Sequence, residues 1–399
     1  MHQSFADITS FLLRHQNYWR HDPFHQVISE QVLWRESAPQ LFEWLQTLSP
    51  QEILELKSST ECAIEALEPY ISDVRTAHIA IELSSMHSAE DLVLPRGLDA
   101  GIPGRKLEQI KQMTTACLND HAGNEWLEWC SGKGFLGRLL ASESKQSVTS
   151  FEFQSALCKA GQEEADKRAL PMRFVQGDAF SPQSKLVFKP TQHAVALHAC
   201  GDLHVTLIKH AVEHHLSALT ISPCCYHLIQ GDNYSPLSKE GKAAKLSLSK
   251  HELRIPLQET VTGGERVRRH REQEMVFRLG FDALCQSHKL SEGYLPIPSI
   301  KKSQLSSGFK ALCKWAANNK QLDLPDVDFG HFEQMGHQRY WQMEALSVVQ
   351  GVFRRPLEVW LALDKALYLQ EQGYNVGLST FCEPSVTPRN ILIHAKRAY

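Results

Sequence analysis

The sequence predicts an α/β fold: a doubly wound, mostly parallel sheet of seven strands, with an α-helical domain ahead of it and an insertion before its last helix and hairpin. Three observations predict it. The run Trp126-Leu127-Glu128-Trp129 breaks into Ser131-Gly132-Lys133-Gly134 and resumes as an amphipathic helix carrying Phe135, Leu136, Leu139 and Leu140, which is a strand, glycine turn, helix order. Further strand-like stretches then alternate with helical patterning, which implies parallel pairing through right-handed crossovers. The chain closes on one clean helical pattern followed by two strand patterns.

Residues 1–88 read as an α-helical N-terminal domain. Phe5, Ile8, Phe11 and Leu12 recur at helical spacing, and Val27 to Trp34 and Leu41 to Leu48 repeat the pattern. Ser49-Pro50-Gln51-Glu52 is a helix start, with Ser49 as cap and Pro50 at the first helical position. Trp19, Trp34 and Trp44 give the segment a core of its own. Residues 89–105 hold two prolines and three glycines and read as a linker.

The first part of the core, 106–227, opens with a helix from Lys106 to Leu118, which leads to a strand from Glu125 to Trp129. Strands follow from Ser147 to Phe151, running into Glu152, from Met172 to Gln176, from Gln192 to His198 and from Leu216 to Ser222. Helices from Ala156 to Arg168 and from Leu203 to His215 lie between them. Residues 228–355 read as an insertion. It has a polar, mobile loop from Gln230 to Lys250, a YLPIP stretch that its prolines keep out of any central strand, and helices near Ser306 to Asn318 and His337 to Val352. The core resumes over 356–399 with a helix from Pro356 to Gln372 and strands from Asn375 to Phe381 and Asn390 to Lys396.

In such sheets ligands bind beyond the carboxyl ends of the strands. Glu128, Glu152, Asp178, His198, Asp202 and the 222–227 turn fall there. Glu152, with Phe153 beside it, is placed to accept hydrogen bonds from a ribose, and Asp178 in the Gly177-Asp178-Ala179 turn is placed to hold an adenine amino group. The turn Cys130-Ser131-Gly132-Lys133-Gly134 cradles the rest of a cofactor, and His198 lines the same pocket. Two cofactors compete, a nicotinamide dinucleotide and S-adenosylmethionine. A pyrophosphate wants GxGxxG. Here Glu128 stands ahead of the turn, where it repels phosphate but suits the ammonium of a methionine moiety. The sulfonium cofactor fits better.

Composition bounds the rest. The 399 residues are 42% hydrophobic and 22% charged, an ordinary globular balance with room for two or three domains. No apolar run approaches the roughly 20 residues of a membrane-spanning helix, and the N-terminus lacks a basic leader followed by an apolar block. A cytoplasmic protein without a membrane partner is expected. A net charge of −3 argues against tight, indiscriminate nucleic-acid binding but leaves room for a local patch such as Arg266, Arg268, Arg269 and Arg271. Ten cysteines without a CxxC point to reduced thiols. Cys224, Cys225 and His227 have no second cluster in the sequence, and adjacent ligands alone make poor tetrahedral geometry, so no metal is expected.

The ExxxGKGxLxR pattern from Glu128, the HACGDL from His198, the CCYH from Cys224 and the CEPxxTPRN from Cys382 together resemble one S-adenosylmethionine-dependent methyltransferase family. It groups methyltransferase-like protein 25 with the glutathione S-transferase C-terminal-domain-containing protein and, more distantly, the tRNA 2′-O-methyltransferases of the acceptor stem. The resemblance covers residues 104–227 and 356–397. It implies a Rossmann-like, seven-stranded class I methyltransferase fold and S-adenosylmethionine as cofactor. One departure is Cys130, where the family's loop has its first glycine, so the loop follows a slightly different path. In this fold the acceptor lies near the ends of the fourth and fifth strands. There His227 is placed to take a proton, Tyr226 to stack on a base, and Asp202 either to orient the acceptor or to cap the helix at Leu203. The likeness to tRNA enzymes and the arginine run point to RNA, tRNA or rRNA, as substrate, with the arginines as phosphate contacts. A protein or small-molecule acceptor is the alternative, and a non-catalytic scaffold that keeps the fold is another.

Overall fold

The computed structural model describes residues 1–86, 92–258 and 265–398. The start of the expected linker, 89–91, and Gly264 of the basic run lie outside the described residues. The chain divides into two units: Met1–Leu13, Ala77–Gln258 and Arg355–Tyr399 form one, and Arg14–Thr76 with Glu259–Arg354 form the other. Among the described residues no helix is long and apolar enough to cross a membrane.

The first unit holds a single sheet of β1 (Ser84–Ser85), β2 (Glu125–Trp129), β3 (Val148–Glu152), β4 (Met172–Gln176), β5 (Gln192–Cys200), β6 (Ala218–Cys224), β7 (Tyr374–Thr380) and β8 (Ile391–Arg397), in the order β1-β7-β8-β6-β5-β2-β3-β4. The described pairings are parallel except those of β8, which runs antiparallel to β6 and β7. From β2 the chain proceeds outward to β3 and β4, then returns to β5 on the other side. That reversal makes a crevice at the strand ends. The seven expected strands are all present. The eighth, β1, is a two-residue edge strand beside β7, too short to carry a sequence pattern.

β3 and β6 are buried along their whole lengths, as parallel strands are when helices cover both faces. The connecting helices are α1 (Gly104–Asn119), α2 (Phe135–Ser144), α3 (Ser155–Lys167), α4 (Asp202–Glu213) and α5 (Arg354–Glu371). Ile110, Met113 and Cys117 of α1 meet Leu136, Leu139 and Leu140 of α2 over Trp126 of β2. Each such buried aliphatic side chain is worth roughly 1.5–3 kcal/mol. Gly134 caps α2 with a φ of 69°, and a Cβ there would collide with the Phe174 ring, so both conformation and space demand glycine.

The expected boundary at 228 does not hold. Residues 228–258 belong with the core, because Asp364 of α5 reaches into them. Its fully buried carboxylate accepts from Tyr234 Oη at 2.6 Å, Leu237 N at 2.9 Å, Ser238 N at 3.0 Å and Ser238 Oγ at 2.6 Å. The polar stretch expected to be mobile is pinned. The helix His2–Arg14 likewise departs from the expected N-terminal domain: Phe5 stacks on Trp360 of α5 at 5.2 Å, and Trp360 Nε1 donates to Thr9 Oγ1 at 2.9 Å.

In the second unit, the rest of the N-terminal helices join the insertion instead of standing apart. Its axis is the helix Phe329–Gly351, which packs against Pro23–Ile28, Pro50–Ser58 and Glu265–Ser287. The buried Arg339 bridges to Asp282 at 3.0 Å. Ser49 caps Pro50–Ser58 as expected, with reciprocal bonds from Glu52 N to Ser49 Oγ (3.3 Å) and from Ser49 N to the Glu52 carboxylate (2.7 Å). The helix expected from Val27 to Trp34 is displaced. Asp22 accepts from Phe24 N at 2.8 Å and Pro23 takes the first position, so the helix starts earlier and ends at Ile28.

Candidate active site

At the carboxyl ends of β3 and β4 lies a cavity of about 430 Å³, walled by Cys130, Phe151, Glu152, Phe153, Gly177, Asp178, Ala179, Phe180 and Leu203. Cys130, Glu152, Phe153, Asp178 and Ala179 are residues that the sequence marked for a cofactor. Phe151, Gly177, Phe180 and Leu203 it did not mark. Phe153 and Phe180 are 67% and 49% exposed, so two large rings stand in solvent at the cavity. The signal for Phe180 was present: like Phe153, it follows closely on an acid at a strand end.

The loop before α2 is held from below by Glu152. Gly132 N donates to its Oε2 at 2.9 Å and Gln154 N to its Oε1 at 3.0 Å. Each oxygen has one protein donor and keeps capacity for another, which a pair of hydroxyls would use. Cys130 (φ 55°), Gly132 (φ 59°) and Gly134 (φ 69°) are all left-handed. For Cys130 this costs about 1–2 kcal/mol, which glycine would not incur. Ser131 Oγ is buried and has no partner among the described residues, while Lys133 is exposed. Asp178 accepts from Phe180 N at 2.9 Å through Oδ1, and the residue is exposed. A nucleoside with a ribose diol and an exocyclic amine fits these groups.

Glu128 does not face that cavity. Its carboxylate is buried under the first turn of α2, where it accepts from the N–H groups of Gly137 and Leu136 and from Ser150 Oγ at 2.8 Å. The expected ammonium contact gives way to a structural one, because the open helix start already supplies its donors. Burial pushes the carboxyl up to about 7, opposed by those donors. Between the ordinary 4.5 and 7 the folded chain therefore holds a proton that the unfolded chain has lost. Stability from this group is full below that window and declines as pH rises through it. Glu128→Gln, which keeps an acceptor oxygen, is expected to flatten the decline, read as the unfolding midpoint against pH. An unchanged slope would refute it.

His198 is also displaced from its expected place on the wall. It sits at a β-bulge between Leu197 and Ala199, with a φ of 59°, and its Nε2 meets Gln109 Oε1 at 3.0 Å. Gln109 Nε2 donates to Val386 O at 3.3 Å, which orients the amide, so His198 Nε2 carries the proton and Nδ1 the lone pair. Burial, then Arg389, pushes this imidazole down to about 4.

On the acceptor side, Asp202 is the first residue of α4, with Gly201 as cap. Its carboxylate accepts from Gln230 N at 2.8 Å and its N–H donates to Leu228 O at 3.0 Å, which anchors the turn that carries His227. His227 is half-buried, and its Nδ1 has no partner among the described residues. Burial, then Arg254, lowers its pKa, with Cys225 opposing, so the ring is neutral near pH 7 and free to accept a proton. Tyr226 is buried edge-on to His204, 5.9 Å between ring centres, with Lys365 Nζ 5.3 Å from its own centre, so it cannot stack on a base. Hydrogen bonding among Cys200, Cys224 and Cys225 pushes the Cys225 thiol down and the Cys224 thiol up. Arg266, Arg268, Arg269 and Arg271 are exposed on the helix Glu265–Ser287 of the second unit, with Arg269 3.8 Å from Glu265.

Residues 105–232 match the family model described as a methyltransferase domain. This bears out the methyltransferase resemblance read from the motifs. The glutathione S-transferase C-terminal domain-containing protein of Mus musculus is 29% identical over 155 residues, 37% of this chain and 23% of that protein. Its Xenopus laevis counterpart is 28% identical over 131 residues, 32% of this chain and 20% of that protein. The alignments thus span about a quarter or less of these relatives. Among solved structures, the magnesium protoporphyrin IX methyltransferase of Synechocystis PCC 6803, with bound SAH, is similar at 10% identity and a TM-score of 0.32, over 85% of this chain and 100% of that one.

Proposed function

We propose, from the premise that residues 105–232 are a methyltransferase domain, that this chain transfers a methyl group from S-adenosylmethionine to RNA. The observation that carries the reading is the cavity at the ends of β3 and β4, which Glu152 and Asp178 line together with two exposed phenylalanines, Phe153 and Phe180. Glu152 holds the ribose hydroxyls, Asp178 the adenine amine, and Phe153 and Phe180 flank the base. The cofactor supplies a methyl group already activated on a sulfonium, so the protein's part is mostly alignment. His227 accepts the proton of the acceptor's nucleophile as a neutral imidazole, and Asp202 keeps its turn in place. RNA as acceptor is supported by the four exposed arginines, which suit phosphate.

Calorimetric titration with S-adenosylmethionine and S-adenosylhomocysteine tests the cofactor. About micromolar binding is expected for the wild type, and loss in Asp178→Ala. Absence of binding by the wild type would overturn the reading. RNA binding is expected to weaken steeply with salt. Arg268→Ala and Arg269→Ala are each expected to reduce the salt slope by about one, since each leaves one phosphate without its cation. Salt-insensitive or absent RNA binding would leave a protein or small-molecule acceptor instead.

A further inference from the structure

Three thiols that the sequence keeps apart converge where β5 and β6 end. The parallel register sets Cys200 opposite Cys224, and Cys225 follows with a left-handed φ of 46°. That backbone turn brings its sulfur to the other two. The Cys200 and Cys224 sulfurs are 3.6 Å apart, and all three Sγ atoms lie within 4.8 Å of one another. Zinc–thiolate bonds of about 2.3 Å at tetrahedral angles place sulfurs ~3.8 Å apart, so the trio already has the spacing of one face of such a site.

A second, independent observation points to a ligand there. His198 and His227, each two residues from a cysteine of the trio, both have a buried Nδ1 without a partner among the described residues. Gln109 fixes the His198 tautomer so that Nδ1 carries the lone pair. A hydrogen bond to the far nitrogen is how proteins orient a metal-binding imidazole. The charge balance also works. One divalent ion and three thiolates leave a single net negative charge, and Arg389 bears on both Cys200 and Cys225. A second cluster of ligand-type residues among the described residues, His210, Glu213 and His214, has its carboxylate taken by Lys185 at 2.6 Å.

We propose that Cys200, Cys224 and Cys225 bind a zinc-class divalent ion, with the His198 imidazole completing the shell. Binding replaces three S–H protons with three metal–sulfur bonds and releases the protons to solvent. The ion ties the end of β5 to the end of β6 and to the turn that bears His227. In the sequence, zinc is disfavoured for want of a second cluster; the fold supplies Cys200 from the adjacent strand.

The test is titration of the reduced, metal-stripped full chain with Co²⁺ and Zn²⁺. The expected result is one equivalent of Co²⁺ bound with sulfur-to-cobalt charge-transfer absorption and tetrahedral d–d bands, displaced by Zn²⁺. The absorption is expected to be lost in Cys200→Ser and Cys225→Ser and kept in Cys62→Ser, whose thiol is exposed and lies in the other unit. To keep the test free of misfolded variants, wild-type protein is also alkylated natively with and without Zn²⁺. Protection of Cys200 and Cys225, the two half-buried thiols of the trio, by the ion supports the site. No charge transfer in the wild type, absorption that survives in Cys200→Ser and Cys225→Ser, or alkylation unaffected by Zn²⁺ overturns it. Each readout is independent of S-adenosylmethionine binding.

Discussion

Glu152→Ala is expected to lower the affinity for S-adenosylmethionine by at least about 100-fold, which is nearly 3 kcal/mol. The residue acts twice. It lines the cavity, and it holds the loop through Gly132 N and Gln154 N. Hydrogen bonds to a charged acceptor contribute about 1.5–3 kcal/mol each, and alanine removes both while leaving two backbone donors without their acceptor. The loop is costly to hold, with Cys130 in a left-handed conformation between β2 and Gly132, so losing the tie lets it relax away from the binding shape. Glu152→Gln keeps one acceptor oxygen and is expected to fall between alanine and wild type. Calorimetry gives the affinities, and circular dichroism of each variant separates a loosened loop from a lost fold. Binding by a folded Glu152→Ala within a few-fold of wild type would sink the assignment.

The frame of this molecule was legible because its sheet is mostly parallel and its strands alternate with helices. Internal strands such as β2 read as short apolar runs closed by polar turns, and the edge strand β4 stands out between its flanking helix and the Gly177-Asp178 turn; both match the expected bounds to the residue. The acids at the strand ends were legible for the same reason, since position along the strand places them at the crevice. Side-chain direction was not. Glu128 and Glu152 both stand at or near strand ends, yet one carboxylate turns under α2 and the other toward the loop. The bulge at His198 left no mark in the sequence, and it is the bulge that turns the ring to Gln109. Packing across long separations was hidden as well. The thiol trio needs the register of β5 on β6, and the division into units depends on what the helix Phe329–Gly351 and Asp364 pack against.

Asp364→Ala is expected to lower the unfolding free energy by about 3–5 kcal/mol, the scale for removing one member of a buried charge pair, here linked through the Tyr234 hydroxyl. Asp364 and Lys365 are both fully buried on α5. Lys365 Nζ donates to Tyr234 Oη at 3.0 Å and to Leu361 O at 2.9 Å, and Tyr234 Oη donates its own proton to Asp364 at 2.6 Å. Alanine would strand the ammonium together with the Leu237 and Ser238 donors. Denaturant unfolding measures the loss, and limited proteolysis within 230–250 is expected to quicken as that stretch comes free. Lys365→Met is the informative counterpart: it leaves the Asp364 carboxylate with its donors from Tyr234, Leu237 and Ser238, so it is expected to cost less than Asp364→Ala, which strands the ammonium and those donors together. Burial pushes Lys365 down to about 8, against Asp364 and Asp202, from an ordinary 10.5. Between those values the unfolded chain binds the proton and the folded chain does not, so this contribution to stability rises with pH across the window. Tyr226 and Tyr234 titrate well above 10 in the folded state and act with the opposite sign beyond that pH, so the Lys365 effect is read between pH 8 and 10. Wild type is expected to gain stability over that interval relative to Lys365→Met, and parallel curves for the two proteins would show that Lys365 is not held as a strained cation.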